Sequence, residues 1–159
     1  MGLDMYLERM PRDKKPGDEL NEEIGYWRKA NQIHNWFVKN VQNGIDDCEY
    51  HSEVTKELLK ELLATCQVVL NNCELVEGEV NNGYTLIDGI MVPQLENGKY
   101  IKDPSVAKRL LPTTSGFFFG GTDYDQWYVE DIRHTIYICK KALETTDFEK
   151  EVIYYISSW

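Results

Sequence analysis

Leu3, Met5 and Leu7 alternate with Asp4, Tyr6 and Glu8 near the start of the chain, the period-two pattern of a strand with one buried face. The stretch PRDKKPGDE that follows has two prolines, a glycine and mixed charges, and reads as a loop. Over residues 22–43 the spacing becomes helical. On a wheel at about 100° per residue, Tyr26, Trp27, Ala30, Ile33, Phe37, Val38 and Val41 share one broad arc, and Asn43-Gly44 supplies a stop. A second helix is predicted from an N-cap at Ser52 to Asn71-Asn72. Val54, Leu58, Leu59, Leu62, Leu63, Cys66, Val69 and Leu70 form its amphipathic stripe.

Residues 73–103 are less regular and read as short strands or a hairpin, with Asn97-Gly98 as the turn signal. Asp103-Pro104 opens a brief helix through Leu111, stopped by Pro112. TTSGFFFGGTD sets an apolar triplet between glycines, as in a short buried strand or a tight loop. A third long helix is predicted over residues 124–144, with Tyr128, Ile132, Ile136, Cys139 and Leu143 inward. Thr122 and Asp125 ahead of it have the spacing of a cap and a third-position acid. The closing EVIYYISSW is rich in β-formers. Thr146 and Glu149 would also suit a capped helix, but a strand pairing with the N-terminal one is preferred. The sum is one α+β domain over 1–159: three main helices packed on a small, mostly antiparallel sheet that includes the N- and C-terminal strands.

Two residues of the first helix stand on the side opposite to their chemistry. His34 lies inside the apolar arc, with Asn31 at its border. Trp36 lies among Arg28, Lys29, Gln32, Asn35, Lys39 and Asn40. His34 is either a buried, hydrogen-bonded imidazole or a pocket wall that donates to a ligand or titrates as a base. Trp36 requires a cover, from a loop of the same chain or from a ligand stacked on it, with Arg28 and Lys29 near to hold an anion.

The glycine-flanked segment is the second candidate. Thr113, Thr114 and Ser115 supply hydroxyls, Gly116, Gly120 and Gly121 allow close approach, and a helix N-terminus follows. No Gly-Lys-Ser/Thr follows the glycines, which excludes a P-loop, and Asp123 and Asp125 would repel a phosphate. Asp46, Asp47, Cys48 and His51 are metal-ligand types at a spacing that matches no zinc or calcium loop. No GxSxG, HExxH or catalytic Cys/His pattern stands out. The expectation is therefore no metal, no cofactor and no assigned catalytic residue.

Charge narrows the partners. With 27 acids against 17 bases the net charge is −10, which argues against direct nucleic-acid binding and suits an acidic face docking on a basic partner. The acids spread through 19–23, 46–53, 74–79, 123–131 and 144–151. Cysteines without CxxC spacing, Cys66 and Cys139 on apolar faces, and an N-terminus lacking a signal-peptide core imply a cytoplasmic chain. Tyr6 also fails the myristoylation pattern, and no stretch approaches the roughly 20 apolar residues of a membrane span.

MGLDMYL, YWRKANQIHNWF, LPTTSGFFFGGTDYDQWY and the terminal YYISSW together resemble a family of small proteins carried by bacteriophages and bacterial mobile elements. The resemblance covers both ends and two interior blocks, and marks Trp27, Arg28, Asn31, His34, Trp36, Ser115, Phe118 and Tyr124 as signature positions. It implies a phage-related setting, in the cytoplasm of the bacterial host, and a counter-defence role. The functional expectation is a binding protein that holds a small anionic or nucleotide-like ligand between helix 24–43 and loop 113–124. Trp27, Arg28, Lys29, Asn31, His34, Trp36, Ser115, Phe118 and Tyr124 would line that site. One alternative is an inhibitor of a host protein that uses the acidic surface, even as a nucleic-acid mimic. The other is an enzyme with His34 as base.

Overall fold

The computed structural model describes residues 2–18 and 20–159. The elements in chain order are β1 (Asp4–Pro11), β2 (Glu22–Arg28), α1 (Asn31–Asn40), β3 (Ser52–Val54), α2 (Lys56–Leu70), β4 (Leu75–Ile87), β5 (Ile90–Ile101), α3 (Ser105–Leu110), α4 (Gln126–Thr145) and β6 (Glu151–Ser158). They make an α+β fold with two antiparallel sheets, one of four strands in the order β2-β1-β6-β3 and one formed by β4 and β5.

The alternation in β1 is realised. Leu3, Met5 and Leu7 are fully buried, while Asp4, Tyr6 and Glu8 face the other way. β6 is the predicted C-terminal strand, and it pairs with β1 from Asp4↔Ser158 to Pro11↔Glu151. Rows of partnered residues therefore cross the core face, one running Gly25–Leu7–Tyr155–Ser52 and another Trp27–Met5–Ser157. On this face the stripe of α2 (Leu59, Leu62, Cys66, Val69) joins that of α4 (Val129, Ile132, Cys139) in one core with Phe37 and Ile33 of α1. Burial pushes the Cys139 thiol up to about 12, and that of Cys66 higher still, so both behave as small apolar groups.

The predicted first helix is corrected most. Its N-terminal half is strand β2, in which Trp27 is buried and its neighbours Tyr26 and Arg28 are exposed. A helical wheel puts Tyr26 and Trp27 side by side. A strand puts them on opposite faces, and pairing with β1 makes the strand the better solution. The break falls at Lys29, whose φ of 57° is left-handed, where neither glycine nor proline announces it. α1 then runs only from Asn31, and Gly44 N–H closes its C-terminal end on the Val38 carbonyl.

Smaller differences follow the same logic. Ser52 belongs to β3, and the N-cap of α2 is Thr55, whose hydroxyl accepts from Leu58 N–H. Asp125 is a capping residue of α4 as its spacing suggested, but it stands at the N-cap itself rather than three residues inside, accepting from Trp127 and Tyr128 N–H. Asn97-Gly98 lies inside β5 rather than at the turn, because a Cβ at Gly98 would meet Val80 Cγ2 at 2.5 Å and Gln126 Oε1 at 2.7 Å. The hairpin turns at Asp88-Gly89, both with positive φ, as a two-residue turn between antiparallel strands requires. There are thus four helices among the described residues, one of them the short α3, and the sheet expected as a single unit is two. Glu19, in the acidic run 19–23, lies outside the described residues. No helix among them is long and apolar enough to cross a membrane.

Candidate functional site

The two sequence candidates come together. α1 is buried on nearly every side, and its amides tie the glycine-flanked loop down. Asn31 Nδ2–H donates to the Phe119 carbonyl at 3.0 Å and the Gly121 carbonyl at 2.8 Å, while its Oδ1 accepts from Thr114 N–H at 3.0 Å. One turn on, Asn35 Nδ2–H donates to the Pro112 carbonyl at 3.4 Å. Gln32 Nε2–H points the other way, to the Tyr128 carbonyl at 3.4 Å and Asp131 of α4 at 3.5 Å. The face that the wheel assigns to solvent is therefore a row of amides serving loop and helix backbone. Buried backbone groups need such partners, and a loop without ladder hydrogen bonds takes them from side chains.

The loop also closes on itself and on the chain start. Tyr124 Oη accepts from Thr113 N–H at 3.1 Å, and Thr113 Oγ1 donates to the Thr122 carbonyl. Leu3 N–H donates to the Phe118 carbonyl and Lys29 N–H to the Leu3 carbonyl, so three distant segments meet in one strip. Phe118, like Lys29, sits at left-handed φ, at 62°.

His34 lies beneath this loop. Its ring is 1% exposed, with Nδ1 at 2.6 Å from Tyr155 Oη and Nε2 at 2.9 Å from Asp46 Oδ2. The Asp46 carboxylate can only accept, so the imidazole donates Nε2–H to it, which leaves Nδ1 to accept from the Tyr155 hydroxyl, whose proton burial holds firmly. Asp46 Oδ1 in turn accepts from the Trp159 indole N–H at 3.1 Å. Phe37 stacks on Tyr155 at 3.9 Å, and Phe119 meets the His34 ring edge-on at 5.3 Å. The chain Tyr155–His34–Asp46–Trp159 thus links the buried middle of β6 to the C-terminal residue. Gln42 and Ser52 are buried polar residues whose side-chain polar atoms find no partner among the described residues.

The remaining predicted residues divide between core and surface. Trp27 is core, its indole N–H donating to Thr135 Oγ1 at 2.9 Å. Trp36 is also buried, edge-on to Phe37, so its cover comes from the chain itself. Tyr124 packs against Tyr128 beneath the Lys108 ammonium. Arg28, Lys29, Ser115 and Phe118 are exposed. Arg28 pairs with Asp4 at 2.9 Å, and the Tyr26 hydroxyl, with Arg28 beside it, holds the Asp4 carboxyl below its usual range against the opposing effect of burial. Lys29 makes no ion pair among the described residues, and its Cε lies close to Gly2. Phe117, not singled out by the sequence, is 77% exposed and packs edge-to-face on Phe118 at 4.1 Å. Only Phe119 of the triplet turns inward.

Asp131, Tyr155 and Trp159 also escaped the sequence reading, and Asp46 was singled out only as a metal-ligand type, because nothing in one-dimensional spacing brings residues 34, 46, 155 and 159 together. Burial raises the Asp131 carboxyl to about 7 against the opposing Gln32 hydrogen bond, with Asp125 and Glu130 adding to the rise. Two shallow hollows open elsewhere, one beside Arg12, Lys56 and Phe148, the other beside Asn72, Glu74 and Asp103. The metal-type residues near 46–51 diverge, Asp46 to His34 and His51 to Glu8 at 3.0 Å, and no metal-holding group forms among the described residues. Compared with protein-family models, with curated proteins and with solved structures, the chain matches none.

Proposed function

We propose that this chain is a non-enzymatic binding protein, and that it receives a small anionic, nucleotide-like ligand on the rim of the α1–loop junction rather than inside it. The observation that carries this reading is the exposed pair Phe117–Phe118, on a loop whose Gly120 lies against the Lys29 side chain. Two bulky residues, Lys29 and Phe118, are held there at left-handed φ, at a cost of about 1 kcal/mol each. The loop is fastened from below by Asn31, so its aromatic rings stay in water on a stiff base.

Such a rim supplies the two things a nucleotide needs. Aromatic faces stack a base for about 1–3 kcal/mol, and a lysine offers a point charge to phosphate. Arg28, exposed and paired with Asp4, lies with the Lys29 side chain against Gly2 as a second cation, and Ser115 offers an exposed hydroxyl. His34 belongs to the scaffold beneath, since both ring nitrogens are bonded within the chain. A phage or mobile-element setting, as the resemblance implies, suits a protein that sequesters a signal nucleotide in a counter-defence role.

A nucleotide panel read by thermal shift and calorimetry tests this. At least one mono- or cyclic nucleotide is expected to raise the melting temperature of the wild-type chain. Phe117→Ala with Phe118→Ala, or Lys29→Ala, is expected to weaken that binding at least tenfold. Absence of any stabilising nucleotide sinks the reading and leaves the acidic exterior, docked on a basic host protein, as the alternative.

A further inference from the structure

The β4–β5 hairpin is firmly seated only at its base. There Leu75 pairs with Ile101, Ile101 N–H donates to the Tyr124 carbonyl, Lys99 N–H donates to Gln126 Oε1 at 2.7 Å, and Val80 is buried. Past Asn81 the register shifts, Gly83 takes a φ of 112°, and the ladder resumes at Tyr84↔Pro93. Such a bulge bends and twists the hairpin. Beyond it Tyr84, Leu86, Ile87, Ile90 and Met91 are 50–66% exposed, as is Leu95 opposite Asn81 just before it. They fall on both faces, with Leu86↔Met91 on one and Ile87↔Ile90 on the other, so neither face is turned to a core.

An apolar two-stranded arm in water is marginal, and its open edges invite pairing with another strand. Its chemistry selects the occupant. Between residues 81 and 95 the only charge is Asp88, although the chain carries −10 overall. A basic foreign partner drawn by that negative charge would find no counter-charge on the arm, whereas two like-charged copies can approach there with the least repulsion. The β4 edge from Asn82 to Ile87 contains no proline and carries the β-formers Tyr84, Thr85 and Ile87, whereas Pro93 removes an N–H from β5.

We propose that the distal arm is the contact between two copies of this chain, their β4 edges meeting antiparallel about a two-fold axis. The result is a four-stranded sheet, β5-β4-β4-β5, whose outer strands each carry the proline. The isologous geometry uses up the β4 edge of both copies and leaves outside only the β5 edges, each interrupted by Pro93.

Sedimentation equilibrium and light scattering of the full chain at tens of micromolar test this, beside two variants. One carries Leu86→Lys with Ile87→Lys; the other replaces residues 81–95 by Asn-Gly, joining the Val80–Glu96 pair directly. The wild-type chain is expected at twice its monomer mass. Both variants are expected at monomer mass, with near-ultraviolet circular dichroism unchanged. A monomeric wild-type chain, or a dimer that persists in either variant, overturns the proposal. The nucleotide readout on the same samples is independent of it, so the two readings fail separately.

Discussion

The α1–loop junction and the distal hairpin are both built from residues of mixed polarity, and they behave oppositely. At the junction polar side chains are buried and apolar ones are left out: Asn31, Gln32 and His34 are inside, Phe117 and Phe118 outside. In the hairpin the ladder satisfies the facing backbone groups of the two strands and leaves their outer edges open, and the side chains touch little. The difference lies in where backbone hydrogen bonds come from. A strand pair supplies its own, so its side chains are available for a partner. An irregular loop has none, so neighbouring amides must be buried to supply them.

That contrast yields substitutions of graded effect. Asn31→Ala removes three hydrogen bonds at once and strands two carbonyls and an N–H of the loop, so urea denaturation should show a loss of about 4 kcal/mol. Retention of more than about three quarters of the wild-type stability would mean that the loop does not depend on α1. Tyr155→Phe keeps the stack on Phe37 but deprives His34 Nδ1 of its donor, an expected loss of about 2 kcal/mol.

Asp131 sharpens the comparison through pH. Its native carboxyl titrates near 7 and the unfolded one near 3.8, so the folded chain holds a proton that the unfolded chain has released. The stability this proton confers is fully present below about pH 4 and is lost as pH rises through 7. Asp131→Asn should therefore leave the chain close to wild type at pH 5 and about 2 kcal/mol more stable than wild type at pH 8. Parallel pH–stability curves for the two proteins would refute the assignment. At the weak end stands Leu86→Ser on the arm, expected, at a dilution where the chain is monomeric, to change the unfolding free energy by less than about 0.5 kcal/mol. A larger loss would mean that the arm packs on its own body.

Legibility followed the same divide. The alternation of Leu3, Met5 and Leu7 located β1, and the stripe from Leu59 to Val69 located α2, because a face that meets one core prints its period on the sequence. β6 was legible from its β-formers and its place beside β1. The 22–43 segment misled because Trp27 and Phe37 satisfy a helical arc although a reversal at Lys29 separates them. The two segments that meet, α1 and the glycine-flanked loop, were legible from the sequence. Their roles were not, because burial of Asn31, His34 and Trp36 depends on what residues 112–121 and β6 do in three dimensions.

By itself, then, the order of residues determined the α+β class, the two terminal strands and the inward stripes of the long helices. Periodicity is a local property and survives without knowledge of partners. The tertiary structure alone decided that amides face inward on α1, that His34 joins Tyr155 and Asp46, and that the hairpin extends beyond the core. Each of these is a statement about which distant segment supplies a hydrogen bond or withholds a contact, and chain order carries no local mark of that.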